Sequence, residues 1–74
     1  MNKKRRESIA EAIELLNKAR DILETCHEEE QEYLDNMPEN LQQGDKGDIA
    51  QEAIDGLEAA VDQINEAIDS VEGL

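Results

Sequence analysis

Apolar residues recur at spacings of three and four along two stretches of the chain, the spacing of one face of an α-helix. The first stretch, 7–35, carries Ile9, Ala12, Leu16, Ala19, Leu23 and Cys26. In the second stretch, 48–72, one heptad position holds Ala50, Leu57, Ile64 and Val71, and another holds Ile54, Val61 and Ile68. The pattern predicts an all-α protein with helices at 7–35 and 48–72.

A short motif, E-A-I-[ED]-x-[LV], occurs three times, beginning at Glu11, Glu52 and Glu66. The motif gives each predicted helix a row of alanines flanked by larger aliphatic residues. Because alanine rows let antiparallel helices approach closely, we expect the alanines to lie between the two helices of a hairpin. The flanking Ile and Leu would then face a third and fourth helix. A second copy is the simplest source of these helices, so the sequence predicts a homodimeric four-helix bundle.

Between the two predicted helices the periodic pattern fails. Pro38 disfavours helical dihedral angles in the residue before it, so the first helix is expected to end near Asp35. Residues 36–47 are predicted to form a loop that contains a short helical turn. Residues 1–6 include four consecutive basic residues and are predicted to be a flexible basic arm. The remaining segment, 7–72, is predicted to be a single helical-hairpin domain.

The composition limits the size of the hydrophobic core. The chain has 74 residues, no Trp or Phe and one Tyr, so we expect a thin aliphatic core that another copy or a partner completes. No stretch approaches the roughly 18 apolar residues that span a bilayer. The basic residues near the N-terminus are not followed by the apolar run of a signal peptide. Cys26 is the only cysteine, which predicts no intrachain disulfide and a reducing cytoplasm as the compartment.

Charge is distributed unevenly along the chain. Four of the seven basic residues lie in 3–6, whereas all 20 acidic residues lie in 7–74, which leaves that segment with a formal charge of −17. Bulk nucleic acid is not an expected partner, because its binding requires clustered Lys and Arg. A positively charged protein surface matches this charge, although acidity also keeps a small helical protein in solution.

Two carboxylate patterns are typical of metal chemistry. Glu24 and His27 form a Glu-x-x-His pair like those of di-iron helical bundles. The second pattern is similar to the E-E-x-x-E…E-x-x-D spacing of Mg²⁺-dependent all-α nucleotide pyrophosphohydrolases of the MazG type. It consists of Glu28, Glu29, Glu32, Glu52 and Asp55. Because these acids fall mostly opposite the apolar stripes, we predict no metal site and keep the pyrophosphohydrolase as an alternative.

Cys26 and His27 are adjacent and could form a nucleophile and its base. Adjacent helical residues point about 100° apart, however, and Cys26 lies on the apolar stripe. We therefore predict that Cys26 is a buried small hydrophobic residue and that His27 faces solvent. No catalytic residue and no cofactor is predicted.

The remaining candidates form a recognition surface around the loop. Tyr33 is the sole aromatic residue and suits an interface anchor or a stacking surface for a base. Lys46 lies near the start of the second predicted helix, where it could meet a phosphate or a carboxylate. The predicted binding residues are Tyr33, Asn36, Met37, Pro38, Asn40 and Lys46. The alternative interpretation is a loop that only closes the end of the bundle.

Residues 28–42, EEEQEYLDNMPENLQ, followed by Lys46 and Gly47, resemble a segment of small acidic proteins carried by bacteriophages and prophages. In that group an E-E-E-Q-E-x-[LF]-D-N-[LM]-P-E-x-L-Q segment joins two amphipathic helices, and the resemblance extends over most of residues 5–72. The resemblance implies a phage origin and a helical hairpin without an established activity. Small phage proteins of this kind often disable a host factor or defence system, by blocking a protein or by sequestering a nucleotide signal.

Together these features predict a non-enzymatic, homo-oligomeric binding protein that is phage-encoded and acts in the host bacterial cytoplasm. Its predicted action is to block a host or anti-phage defence protein through its acidic surface. One alternative is a protein that sequesters a cyclic nucleotide signal in loops at the oligomer interface. The other alternative is the Mg²⁺-dependent nucleotide pyrophosphohydrolase.

Overall fold

The computed structural model describes all residues, 1–74, and contains three α-helices and no β-strand. Helix α1 spans Lys3–Asp35, α2 spans Glu39–Gln42 and α3 spans Asp45–Glu72. The all-α class predicted from the apolar spacing is confirmed. Helices α1 and α3 form a long extended pair, and the chain measures 58 × 15 × 13 Å.

Contacts between α1 and α3 run in opposite order along the two helices. The first turns of α1 lie beside Val71, near the end of α3. In the middle of the pair, the guanidinium group of Arg20 donates a hydrogen bond to Oδ1 of Asn65 at 3.1 Å. Further along, Glu28 and Glu58 line the same groove. The connection through α2 therefore lies at one end of the molecule, and both termini lie at the other.

Helix α1 begins four residues earlier than the apolar pattern predicts. The side chain of Asn2 caps the helix, because its Oδ1 accepts a hydrogen bond from the backbone N–H of Arg5 at 2.7 Å. Such a cap satisfies one of the backbone donors that the first helical turn leaves free. The four basic residues of 3–6 are therefore helical in the structure, whereas the sequence predicted a flexible arm.

Helix α3 also begins earlier than predicted, at Asp45 and not at Asp48. Gly44 occupies the N-cap position and gives no side-chain hydrogen bond. Asp45 and Asp48 both lie in the first turn, where negative charge is stabilised by the positive end of the helix dipole. Two favourable charges thus stabilise the start of α3 without a side-chain cap.

The core between α1 and α3 is formed by the larger aliphatic residues. Ile54 and Ile68 expose only 3% and 5% of their surface, and Ala50 exposes 1%. The prediction that the alanine row lies between the helices is wrong at Ala53 and Ala67, which are exposed. Burying an isoleucine removes more apolar area from water than burying an alanine, so the isoleucine row occupies the contact. Ala53 and Ala67 are left on the outside of the pair.

Candidate interaction surfaces

The residues that α1 and α3 turn toward each other form a stripe of buried and half-buried positions, named here the contact stripe. Its members on α1 are Ile9, Ile13, Leu16, Arg20, Leu23, His27, Gln31 and Leu34. Its members on α3 are Gly47, Ala50, Ile54, Leu57, Val61, Ile64, Ile68 and Val71. Successive members are three or four residues apart, so the stripe follows one side of each helix.

Most positions directly before the contact stripe are apolar or small and form an apolar face. The polar exceptions are Ser8, Glu30, Lys46, Gln63 and Ser70. One position earlier in a helix corresponds to a rotation of about 100° around its axis. On α1 the apolar face consists of Ala12, Leu15, Ala19, Ile22, Cys26 and Tyr33. On α3 it consists of Ile49, Ala53, Gly56, Ala60 and Ala67. Its four largest side chains expose 52–66% of their surface, and Glu30 is the only acid among all the positions that precede the stripe.

The positions directly after the contact stripe form an acidic face. Twelve of the 20 acidic residues occupy these positions. On α1 they are Glu14, Asp21, Glu24, Glu28, Glu32 and Asp35. On α3 they are Asp48, Asp55, Glu58, Asp62, Asp69 and Glu72. The two sides of the contact stripe therefore carry opposite chemistry in both helices.

The acidic residues of α1 and α3 lie on the same side of the pair. A groove of about 200 Å³ between the helices is lined by Glu24 and Glu28 from α1 and by Glu58 and Asp62 from α3, with His27 and Val61 completing it. The contact stripes of α1 and α3 face each other, and the two helices run in opposite directions. One step forward along either helix therefore turns the side chain toward the same side of the pair. The apolar positions of both helices consequently lie together on the other side.

The groove has no internal counter-charge. The single ion pair of the chain joins Nη2 of Arg20 to Oδ1 of Asp21 at 3.5 Å. The four carboxylates that line the groove are not grouped closely enough for a metal, since no cluster of three or more His, Cys, Asp or Glu side chains could hold one. This finding applies to the Glu24–His27 pair and to the E-E-x-x-E…E-x-x-D pattern alike. The groove thus presents four carboxylates without a paired cation.

The predictions for Cys26 and His27 are both wrong. Cys26 is exposed, and His27 is half-buried. The contact stripe passes through Leu23 and His27, so Cys26 falls one position before it and joins the apolar face. The two side chains consequently point to different sides of α1. The structure does not bring them together as a nucleophile and its base.

The connection between α1 and α3 is held by the side-chain amide of Gln42. Its Nε2 donates hydrogen bonds to the carbonyl oxygens of Leu34 at 3.1 Å and Met37 at 3.0 Å, with that of Asp35 at 3.4 Å. The last carbonyls of a helix have no partners within the helix. Gln42 therefore closes the C-terminal end of α1 and ties α2 to it.

Gly47 brings the backbones of α2 and α3 into direct contact. A Cβ atom at this position would overlap the backbone carbonyl group of Gln42. Gly47 is buried, although its neighbour Lys46 is exposed. No residue other than glycine fits here without separating the two segments. Gln42 and Gly47 fix the connection, and neither was among the residues predicted to form the site.

The six predicted binding residues surround this connection without forming a pocket. Tyr33 exposes 52% of its surface and belongs to the apolar face. Asn36 ends α1 and Pro38 immediately precedes α2, while Met37 is half-buried. Asn40 and Lys46 are also exposed, and none of the six lines any of the four surface cavities. The structure places these residues at one end of the pair on a stiff connection.

The sequence did contain a signal for the two faces. Three triplets, Ala53-Ile54-Asp55, Ala60-Val61-Asp62 and Ala67-Ile68-Asp69, each place an apolar-face residue, a contact residue and an acid in order. The same order recurs in α1, for example at Ile22-Leu23-Glu24. The E-A-I-[ED] motif therefore encodes the three sides of the helix pair and not an alanine contact.

Comparisons with known protein families, with curated proteins and with solved structures found no match for this chain. Neither long helix has a stretch long and apolar enough to cross a membrane.

Proposed function

We propose that the chain is a non-enzymatic, homo-oligomeric binding protein whose acidic face blocks a basic surface on another protein. Two copies, each a helical hairpin, associate through their apolar faces into a four-helix bundle, which leaves the acidic faces outside. The target is a host or anti-phage defence protein that binds nucleic acid, in keeping with the resemblance to small phage proteins. The observation that carries the proposal is the collection of twelve acids on one face.

The density of charge along the molecule supports a nucleic-acid-like surface. Nineteen acids and seven bases lie in α1 and α3, and the longer helix is about 50 Å long at 1.5 Å per residue. The helix pair therefore carries one net negative charge per roughly 4 Å, against about 1.7 Å for duplex DNA. Two copies side by side would carry one per roughly 2 Å. The proposed dimer thus comes close to the charge density of DNA.

Competition with duplex DNA tests this proposal. The protein is titrated into complexes of labelled DNA with a panel of purified basic DNA-binding proteins from the host, at several salt concentrations. We expect displacement of DNA from the target, with an affinity that falls steeply as salt rises. Displacement from none of the panel at low salt would contradict the proposed mode of action.

A matched pair of variants tests whether the acidic face carries the binding. Glu28→Lys with Glu58→Lys reverses two charges of the groove. Glu29→Lys with Glu52→Lys makes the same change in net charge at exposed positions outside the acidic face. The first variant is expected to weaken binding at least about tenfold more than the second. Equal losses would mean that net charge alone drives binding.

The exposed Tyr33 and Lys46 favour a second candidate function, the sequestration of a cyclic nucleotide at the connection. An aromatic ring can stack on a base, and an ammonium group can pair with a phosphate. Thermal unfolding with a panel of cyclic nucleotides, without Mg²⁺, tests this function. A ligand at 100 times its Kd would stabilise the chain by about 2.7 kcal/mol without being consumed.

The third candidate, a Mg²⁺-dependent pyrophosphohydrolase, is tested by the release of pyrophosphate from nucleoside triphosphates. Release that requires Mg²⁺ and disappears in Glu32→Gln would replace the binding proposal with an enzymatic one.

A further inference from the structure

We propose that the apolar face binds a second copy of this chain in antiparallel orientation, so that the basic turn Lys3–Arg6 of each copy lies beside the connection of the other. This inference rests on the self-association in the proposed function and adds the orientation and the role of the basic turn. It does not depend on the identity of any target protein.

The chain exposes more surface than a compact monomer of the same mass. The chain exposes 5586 Å², whereas a compact protein of 8.3 kDa exposes about 4,600 Å². The excess of about 1,000 Å² is close to the roughly 800 Å² that each partner buries in a standard interface. One further helix pair on the apolar face would cover an area of this size.

The apolar face has the relief of a surface that packs against another helix pair. Ile22 lies near its middle on α1, whereas Gly56 and Ala60 leave a shallow strip on α3. A Cβ atom at Gly56 would meet no other atom within 4 Å in the single chain. A two-fold axis that lies in the interface at right angles to the helices, as the antiparallel dimer requires, sets α3 of one copy against α3 of the other, so the two shallow strips face each other. Small residues at such positions allow helices to approach closely.

The distribution of charge selects the antiparallel orientation. The connection end, 28–52, carries nine acids and one base, a formal charge of −8. The opposite end begins with the basic turn Lys3–Arg6. A parallel dimer would bring two strongly acidic connection ends together. An antiparallel dimer pairs each basic turn with an acidic end, which is the favourable arrangement at separations below the Debye length of about 8 Å.

The position of Lys4 supports this assignment. Lys4, Ser8, Ala12 and Leu15 follow one another at helical spacings of four and three, so Lys4 extends the apolar face beyond its last aliphatic residue. Its ammonium group makes no ion pair within the chain. In the antiparallel dimer it reaches the acidic connection end of the partner copy.

Pulsed electron paramagnetic resonance distinguishes the two orientations. The chain carries Cys26→Ala, which keeps the apolar face apolar, and a single spin label at Asn40→Cys, both at exposed positions, and circular dichroism verifies its helix content. Light scattering is expected to give twice the 8.3 kDa mass of one chain. The antiparallel dimer places the two labels about 45 Å apart, whereas a parallel dimer places them within about 25 Å. A monomeric mass or the short distance would overturn the proposal.

Charge reversal gives an independent readout. Lys4→Glu is expected to weaken dimerisation about three- to tenfold at low salt in the antiparallel dimer, because it replaces an attraction to the partner's acidic connection end by a repulsion. Lys18→Glu makes the same change on an exposed part of α1 outside the apolar face and serves as the control. A stronger dimer with Lys4→Glu, or equal losses in both variants, would contradict the proposal. Neither measurement involves a target protein, so its outcome is separate from that of the DNA competition.

Discussion

The apolar face and the acidic face lie on the same two helices, each one residue away from the contact stripe. Mostly apolar and small residues stand before the stripe, and twelve of the 20 acids stand after it. Carboxylates are well solvated in water, whereas exposed apolar side chains gain free energy when they are covered. This difference is the reason for proposing that the apolar side, and not the acidic side, binds a second copy.

The two faces also differ in their effect on the folding stability of the isolated chain. An exposed apolar side chain adds no stability, whereas adjacent carboxylates lower it because they repel one another. Glu24, Glu28, Glu58 and Asp62 line one groove, and no cation lies among them. A chain selected only for stability would place Lys or Arg at some of these positions. The uniform charge therefore does not stabilise the fold, and it is the reason for proposing a binding role for the acidic face.

The largest expected effect comes from losing the register of α1 and α3, on which both faces depend. Gly47→Ala introduces a Cβ atom that overlaps the backbone of Gln42. We expect a loss of about 3 kcal/mol in the free energy of unfolding, because the two segments must separate. Urea unfolding followed by circular dichroism measures the loss.

Gly44→Ala is the matched control for Gly47→Ala. Its Cβ atom would lie 3.6 Å from the nearest backbone oxygen, that of Asn40, which is an ordinary contact. We expect a change of less than about 1 kcal/mol. Similar losses in the two variants would mean that Gly47 does not fix the connection.

The next largest effect is expected from charged substitutions within the apolar face. Leu15→Glu with Ile22→Glu puts two charges into the proposed dimer interface, and each side chain is more than half exposed in the single chain. We expect dimerisation to weaken at least about 100-fold, with little change in the helix content of each chain. Sedimentation equilibrium measures the dissociation constant.

Thr25→Glu with Gln51→Glu adds the same two charges at exposed positions outside the apolar face. This control is expected to leave dimerisation within about threefold of the parent chain. If the control dissociates as readily as the apolar-face variant, charge repulsion and not lost burial is responsible.

A smaller effect is expected at Gly56, where one substitution should change the stability of the single chain and the stability of the dimer in opposite directions. Gly56→Ala fills open space in the single chain, and alanine is favoured over glycine in a helix by about 1 kcal/mol. The variant should therefore stabilise the helix pair at low protein concentration. In the dimer the added methyl group meets the partner copy, so dimerisation should weaken about threefold. Unfolding at two protein concentrations separates the two effects, and a tighter dimer would remove Gly56 from the interface.

The helices could be predicted from the sequence because their signal is local. Apolar spacing indicated both long helices, and Pro38 indicated the end of α1 at Asp35. The start of α1 was missed because a single asparagine cap outweighed the repulsion among four basic residues. The apolar spacing does not show at which of several neighbouring residues the first hydrogen-bonded turn of a helix forms.

The contact between the helices was harder to predict, because periodicity does not decide which flank of a wide apolar stripe is buried. Alanine and isoleucine stand side by side at Ala53-Ile54 and Ala67-Ile68, and only the isoleucines are buried. The roles of Gln42 and Gly47 depend on segments that meet only after the chain has turned. Such contacts leave no periodic trace in the sequence.

The smallest expected effect concerns the acidic face. Glu58→Gln with Asp62→Asn removes two of the four negative charges of the groove while keeping the size of the side chains. We expect the melting temperature to rise by about 3 °C at low salt, because repulsion between the helices falls. In 1 M salt, where the Debye length is about 3 Å, the difference should disappear. Glu29→Gln with Glu52→Gln, outside the acidic face, should raise it less, and an equal rise would show that repulsion is spread over the whole molecule and not concentrated between the two helices.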